Sequence, residues 1–291
     1  MDVQMMKTWI VAVLIALLPG AAAAATRSEL LKQIEYSMLV KGTIETDAAG
    51  NVSSAAIEKP GKFPAGLVEY VQQQVAAWKF EPVLVNGQPK RARSNMSLLV
   101  VAKRLEKEGV TIRIRNASFD VEGLPGALHE QMLAPVKMTP PFYPESVAAA
   151  GVAGTAYVVV KVGTDGNVQD AVVEQVNLLA MGKEKVMASW RSAFADAALK
   201  AARQWTFKPP GQGTQVSAEF WSARVPVAFR MHGADVDRYG KWQVYIPGSR
   251  QSIPWWSEDT PSASPDSFAD GGVYMLGQDT GPKLLTALDG A

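Results

Sequence analysis

Apolar positions along this chain fall into short runs, some alternating with polar residues and some continuous, separated by turns bearing Gly, Pro and Asn. Tyr36–Thr46 is rich in Met, Leu, Val and Ile and predicts a strand. Asp47-Ala48-Ala49-Gly50-Asn51 turns the chain, and Val52–Ile57 predicts the returning strand of a hairpin. Pro64 suits the first turn of a helix, and Leu67, Val71, Val75 and Trp78 follow at i, i+4, i+8 and i+11, one stripe for a sheet to cover. Beyond the turn signal Asn86-Gly87, Ser97–Ala102 predicts a further strand, and Val110–Ile114 a short one.

The same order returns downstream. Prolines 140, 141 and 144 fix an extended approach and Glu145–Ala150 offers a short helix. Thr155–Val162 is a near-continuous apolar run, so it predicts a strand buried on both faces. Asp165-Gly166 is a hairpin turn, and Val168–Val173 returns. Phe194, Ala197, Ala198, Ala201 and Trp205 line one side of a helix, and Phe220–Met231 closes the set. Twice, then, Gly-Asn-Val (Gly50-Asn51-Val52, Gly166-Asn167-Val168) precedes Trp-x-Phe-x-Pro (Trp78, Phe80, Pro82; Trp205, Phe207, Pro209). A repeated turn-helix-aromatic pattern is a packing signature, so it points to a duplicated small module and to binding before catalysis. The Gly-to-Trp spacing is 28 residues in the first copy and 39 in the second; the 11 extra residues fall around Leu178–Ser192, as a loop or a longer helix start.

The boundaries that follow are 1–25 as a signal peptide, 29–102 and 138–231 as the two modules, 103–137 as a connector, and 232–291 as an extended tail. The tail mixes Gly, Pro, Ser and Asp with Trp242, Trp255 and Trp256 and has no sustained period. Tryptophans are costly to leave in water, so Lys241–Ile246 and Ile253–Trp256 are expected to dock on a module or a partner.

At 47% hydrophobic and 20% charged, the chain can bury more than one core. With 29 Lys+Arg against 28 Asp+Glu it has no overall field for nucleic acid, whose binding rests on neutralising many phosphates. Lys7, the apolar run Trp9–Leu18, Pro19-Gly20 and then Ala21–Ala25 follow the order of a secretory signal, with cleavage expected at Ala25. That places the chain in a periplasm; the alternative is an inner-membrane anchor formed by residues 8–25. Cysteine is absent, which removes disulfides, thiol catalysis and thiolate metal sites.

Chemistry is sparse. His129 and His232 are the only histidines and have no matching carboxylate spacing; no Gly-x-Ser-x-Gly, Walker-type loop or His-Glu-x-x-His is present. Asp47 and Asp165 sit in turn chemistry. Trp78, Phe80, Trp205 and Phe207 are read as structural core. The expectation is a protein that is not an enzyme, with no cofactor and no metal. Pro226 lacks an N–H, so the closing strand must turn that position away from a neighbour and lie at an edge. An open edge suits capture of an extended partner strand; the alternatives are cover by the tail or by a second protomer.

Residues 138–231 resemble the C-terminal domain of TonB, the periplasmic energy transducer of Gram-negative bacteria. The likeness rests on Tyr143-Pro144 with its alanine-rich helix, Gly154 opening a valine-rich strand, Asp165-Gly166-Asn167-Val168, Ala201-Ala202-Arg203-Gln204-Trp205, Phe207-Lys208-Pro209 and Val225-Pro226-Val227. Residues 29–102 look like a degenerate second copy. The resemblance implies an α+β fold of two such modules, each a small three-stranded antiparallel sheet with helices on one face. It also implies strand addition of an envelope protein segment, such as that of a TonB-dependent outer-membrane transporter, along Arg224, Val225, Val227 and Phe229. The apolar leader has no histidine and no long Pro-rich spacer follows it, so energy coupling is not expected. The alternative is a structural envelope protein whose modules pair with each other or as a homodimer.

Overall fold

The computed structural model describes residues 34–85, 87–104, 109–121, 132–211, 216–231, 239–256, 272–277 and 282–288. The leader with Ala25, His129 and His232 lie outside the described residues. The chain is a mixed sheet-and-helix protein with several small antiparallel sheets.

The first sheet is built on β1 (Glu35–Thr46), which returns through β2 (Val52–Ile57) and is paired on its other side by β5 (Ala92–Arg104). Alternation puts Met38, Val40 and Ile44 of β1 and Met96, Leu98 and Val100 of β5 in one core. Helix α1 (Ala65–Ala76) closes it with Leu67, Val71 and Val75, each worth about 1.5–3 kcal/mol when fully buried. Trp78 and Phe80 plug the open end, both edge-on to Phe119. A hairpin of β3 (Val83–Val85) and β4 (Gln88–Lys90) lies between helix and closing strand. Phe119 comes from β6 (Val110–Val121), which pairs along β5 from Ser94 to Arg104. Residues 110–121 are thus a fourth strand of the first sheet, not part of a connector. Their pattern hides this because polar Asn116 and Ser118 interrupt the apolar alternation.

The second sheet has the order β13–β11–β8–β9: β8 (Gly154–Gly163), β9 (Val168–Leu178), β11 (Phe220–Phe229) and the short β13 (Tyr274–Met275). Both sheets thus follow one connectivity, a hairpin, a helix, and a closing strand beside the hairpin's first strand. Ala156, Val158, Val160 and Val162 face helix α3 (Glu184–Ala202), while Val159 faces the opposite side, so β8 is buried on both faces. Phe194 of α3 stacks on Phe229 at 4.3 Å, and Tyr143, just ahead of helix α2 (Glu145–Ala149), meets both rings edge-on. The extra residues of this half are divided between β9, which runs on to Leu178, and a helix of 19 residues.

The Gly-Asn-Val turns explain their own spacing to the aromatic segment. Gly50 and Gly166 have φ of 83° and 78°, and their carbonyls accept the Phe80 and Phe207 N–H groups at 2.8 Å. A Cβ at either glycine would lie 2.0 or 2.1 Å from the Phe80 or Phe207 carbonyl oxygen. Only glycine fits there, on both conformational and steric grounds. The second aromatic segment, β10 (Thr206–Lys208), also pairs with β7 (Ala134–Lys137).

Neither sheet stays three-stranded, because the tail adds strands to both. Tyr239 OH lies between the Lys41 and Glu58 carbonyls, and β12 (Gln243–Tyr245) pairs with β1 beyond the end of β2. The next residue, Ile246, exchanges hydrogen bonds with Leu178 of β9 (2.9 and 3.0 Å), which ties the two sheets together. No helix among the described residues is long and apolar enough to cross a membrane.

Candidate functional site

The second sheet's edges and its helix-free face form the candidate site. β8 pairs with β11 along all ten residues of that strand. On the other side of β11, β13 pairs only with Ala223 and Arg224, and Leu276 N–H donates to Ser222 O at 2.8 Å. That bond shows the phase of the edge. Since alternate residues direct N–H and C=O to the same side, Ser222, Arg224, Pro226 and Ala228 face outward, and Val225, Val227 and Phe229 face β8. The missing N–H of Pro226 therefore falls on the outer edge, where it costs no ladder bond.

This phase changes the expected capture residues. Val225, Val227 and Phe229 pair with Val158, Ala156 and Gly154 and bury their side chains in the core under α3. An added strand would meet Pro226 and Ala228 instead. Arg224 does lie on the outward phase, but the residue is 1% exposed.

Arg224 is buried against Glu174, itself 0% exposed, donating from Nε to Oε2 (2.6 Å) and from Nη2 to Oε1 (3.1 Å). Glu174 sits at a β9 bulge, between the Gln175↔Tyr157 and Val173↔Val158 pairs, which aims it across the sheet. Arg250 of the tail completes the cluster, donating from Nε to Oε1 at 2.7 Å. A buried carboxylate so paired is retained only with its partners, and removing one leaves an uncompensated charge. Arg224 carries a sequence signal as the one charged residue of a mostly apolar strand, whereas Glu174 lies among Gln169, Asp170, Gln175 and Asn177 of β9 and carries none. The partner from residue 250 carried no signal.

The tail then covers the face. Along β9, Gln251 N–H donates to Glu174 O (2.7 Å), Gly248 N–H to Asn177 Oδ1 (3.0 Å) and Gln175 Nε2 to Gly248 O (2.8 Å). Ile253 and Leu276 pack on Val159 with Trp255 and Trp256 beside them, and Trp255 Nε1–H donates to Ser222 Oγ (3.1 Å). The expected docking of 241–246 and 253–256 is thus specific to both sheets, and it extends to 272–277.

The remaining candidates are structural. Trp78, Phe80, Trp205 and Phe207 are all buried, and Trp205 Nε1–H donates to Thr139 O at 2.9 Å. The Asn51 side chain and N–H hold the Asp47 carboxyl below its ordinary range, and Asn167 does the same for Asp165. These are turn contacts: Asp47 Oδ1 accepts from Ala49 and Asn51 N–H, and Asp165 Oδ1 from Asn167 N–H. Burial raises the Tyr143 hydroxyl, which donates to Val152 O. Among the described residues no group of His, Asp and Glu is placed to hold a metal ion.

No protein-family model matches the chain, and no curated protein matches it. The chain is similar to the solution NMR structure of the Pseudomonas aeruginosa TonB CTD, with 22% identity, 35% of this chain and 90% of that one covered, and a TM-score of 0.24.

Proposed function

We propose that the chain is a periplasmic binding module of TonB C-terminal type, delivered by a cleaved signal peptide. In this reading the second sheet captures an extended segment of an envelope protein by adding it as a strand beside β11. The observation that carries the proposal is the incomplete cover of that edge. β13 pairs with two residues of β11, and no described strand lies outside Pro226–Phe229. The partner's main chain would use the Pro226 carbonyl and both groups of Ala228, then extend toward Arg224 by displacing Tyr274–Leu276. An outer-membrane transporter's N-terminal segment is the partner class the resemblance suggests. The chain itself supplies no proton coupling and no catalysis.

The test is a titration of 15N-labelled protein with such N-terminal peptides. Ala228 and Leu276 amides should shift first. If both stay unmoved at millimolar peptide, capture at this edge is wrong.

A second reading is favoured by one observation, the tail's occupation of both edges, at Leu178 and at Ala223–Arg224. There the tail is a permanent seal and the protein a structural element of the envelope, alone or as a homodimer. Peptide titration separates the two, since a permanent seal leaves Leu276 unmoved.

A further inference from the structure

The last described stretch, residues 282–288, does not belong to the second sheet. It lies against the aromatic segment of the first. Leu284 bridges Phe80 in antiparallel register, Glu81 N–H donates to Lys283 O (2.9 Å), and Leu285 N–H donates to Lys79 O (2.8 Å). Lys79 N–H donates to Thr286 Oγ1 at 2.8 Å, across 207 residues of sequence. Leu284 and Leu288 pack against the first core, whereas Leu285 between them is 54% exposed.

The second half fills the matching place differently. There β10 is paired by β7, which leads directly into that half of the chain. Each aromatic segment is therefore completed by one extended piece. In the second half the piece is local; in the first it arrives from the far C-terminus and is held by three hydrogen bonds, two leucines and an exposed Lys283–Glu81 pair at 3.9 Å that adds little.

We propose that Lys79–Glu81, with the core edge behind Phe80, is a strand-accepting peptide site filled here by the chain's own segment 282–288. Its ligand class follows from the contacts. Leu284, Thr286 and Leu288 are half-buried while Lys283, Leu285 and Ala287 are exposed, with a bend at Thr286, so the site selects leucine, threonine and leucine at those positions. The main chain supplies register and the alternate side chains supply selectivity. The threonine hydroxyl is needed because it accepts the Lys79 N–H. The tethered segment competes at an effective concentration of about millimolar, so the intact chain hides the site from dilute peptide. This site is distinct from the β11 edge and does not depend on it.

The test uses a fluorescent synthetic peptide of residues 279–291, the full wild-type chain and the full-length L284D/L288D variant. The variant should bind the peptide at least about tenfold tighter than wild type, its Glu81 amide should exchange freely, and bound peptide should restore that amide's protection. A peptide carrying Thr286→Val should bind about tenfold more weakly, as expected for one lost hydrogen bond. The proposal is overturned if a variant that keeps β1 and β5 amides protected binds no better than wild type, or if a Leu284→Asp peptide binds equally well. Should the variant lose β1 and β5 protection, a wild-type chain with a protease site between Gly277 and Pro282 is cleaved after folding. Exchange of the freed segment for labelled peptide then supports the site; retention without exchange, or release without uptake, overturns it.

Discussion

Replacing Gly166 with alanine separates two costs that usually arrive together. The residue has φ of +78°, and an added Cβ would sit 2.1 Å from the Phe207 carbonyl oxygen. Gly87 supplies the control: φ is +74°, but nothing lies within 4 Å of its would-be Cβ. Gly87→Ala should therefore cost only the left-handed conformation, about 1–2 kcal/mol. Gly166→Ala carries that cost and must also push the hairpin off β10. This breaks the 2.8 Å bond from Phe207 N–H to Gly166 O. An unmet buried donor adds about 1–3 kcal/mol, so the total is about 2–5 kcal/mol. Gly50→Ala should match Gly166→Ala in the first half, since its Cβ would lie 2.0 Å from the Phe80 oxygen. Urea unfolding followed by tryptophan fluorescence gives each value, and amide exchange at Phe207 and Phe80 gives its location. If Gly166→Ala and Gly87→Ala lose equal stability, the close approach is not what requires glycine there.

Trp205→Ala should cost about 3–5 kcal/mol and expose amides of β8, β9 and β11 while β1 and β5 stay protected, with Trp78→Ala doing the converse; hydrogen exchange by mass spectrometry reads both. Glu174→Ala takes from both Arg224 and Arg250 the carboxylate they share and should destabilise by about 3–5 kcal/mol, measured by urea unfolding; a loss under about 1 kcal/mol would mean that water or another partner of Arg224 compensates. The Asp47 and Asp165 carboxyls have folded pKa values below their unfolded ones, so their stabilisation is complete above the ordinary aspartate value and is lost as pH falls through the folded one. The double variant D47N/D165N should accordingly lose less stability than wild type between about pH 5 and pH 2, by urea midpoint. Truncation after Met231 removes Ile246 and Met275 from the second core and Tyr239 and Trp242 from the first, and should lower the melting temperature or change the oligomeric state seen by light scattering. An unchanged melt and oligomeric state would mean that the tail adds nothing to either core.

What could be read from the chain tracks how local its physics is. The strands 36–46 and 52–57 and the helix stripe Leu67, Val71, Val75 are legible because alternation, turn residues and a 3.6 period all lie within a dozen residues of one another. Trp78 and Trp205 are legible as core because each closes such a stripe. β6 is legible only as the short strand Val110–Ile114, since Asn116 and Ser118 break its alternation and its membership in the first sheet is decided by pairing with β5. Placing the capture edge on Arg224, Val225, Val227 and Phe229 mixes the two alternate sets: the missing N–H of Pro226 already turns Val225, Val227 and Phe229 toward the neighbouring strand, and what strand sequence does not fix is which edge is left open. The cover of that edge comes from Leu276, more than fifty residues away, whose bond to Ser222 O agrees with the phase that Pro226 dictates. Segment 282–288 shows the same limit: nothing in Leu-Leu-Thr-Ala-Leu names Phe80 as its neighbour.

The placement of that segment also orders the chain's assembly in time. Synthesis runs from the N-terminus, and domains generally fold as their residues emerge. The first core here receives Leu284 and Leu288 only after about two hundred further residues are made. β1, β5 and α1 can pair as soon as they appear, yet their aromatic end must wait for a segment some 207 residues downstream. Closing a loop of that length costs only about 0.6 kcal/mol for each doubling, so the finished state is not penalised much; the delay is kinetic. Until then Phe80 and its strand edge stand uncovered. The earlier-made half is thus sealed after the later one has its strands, and a chain stopped before Pro282 would carry that opening permanently.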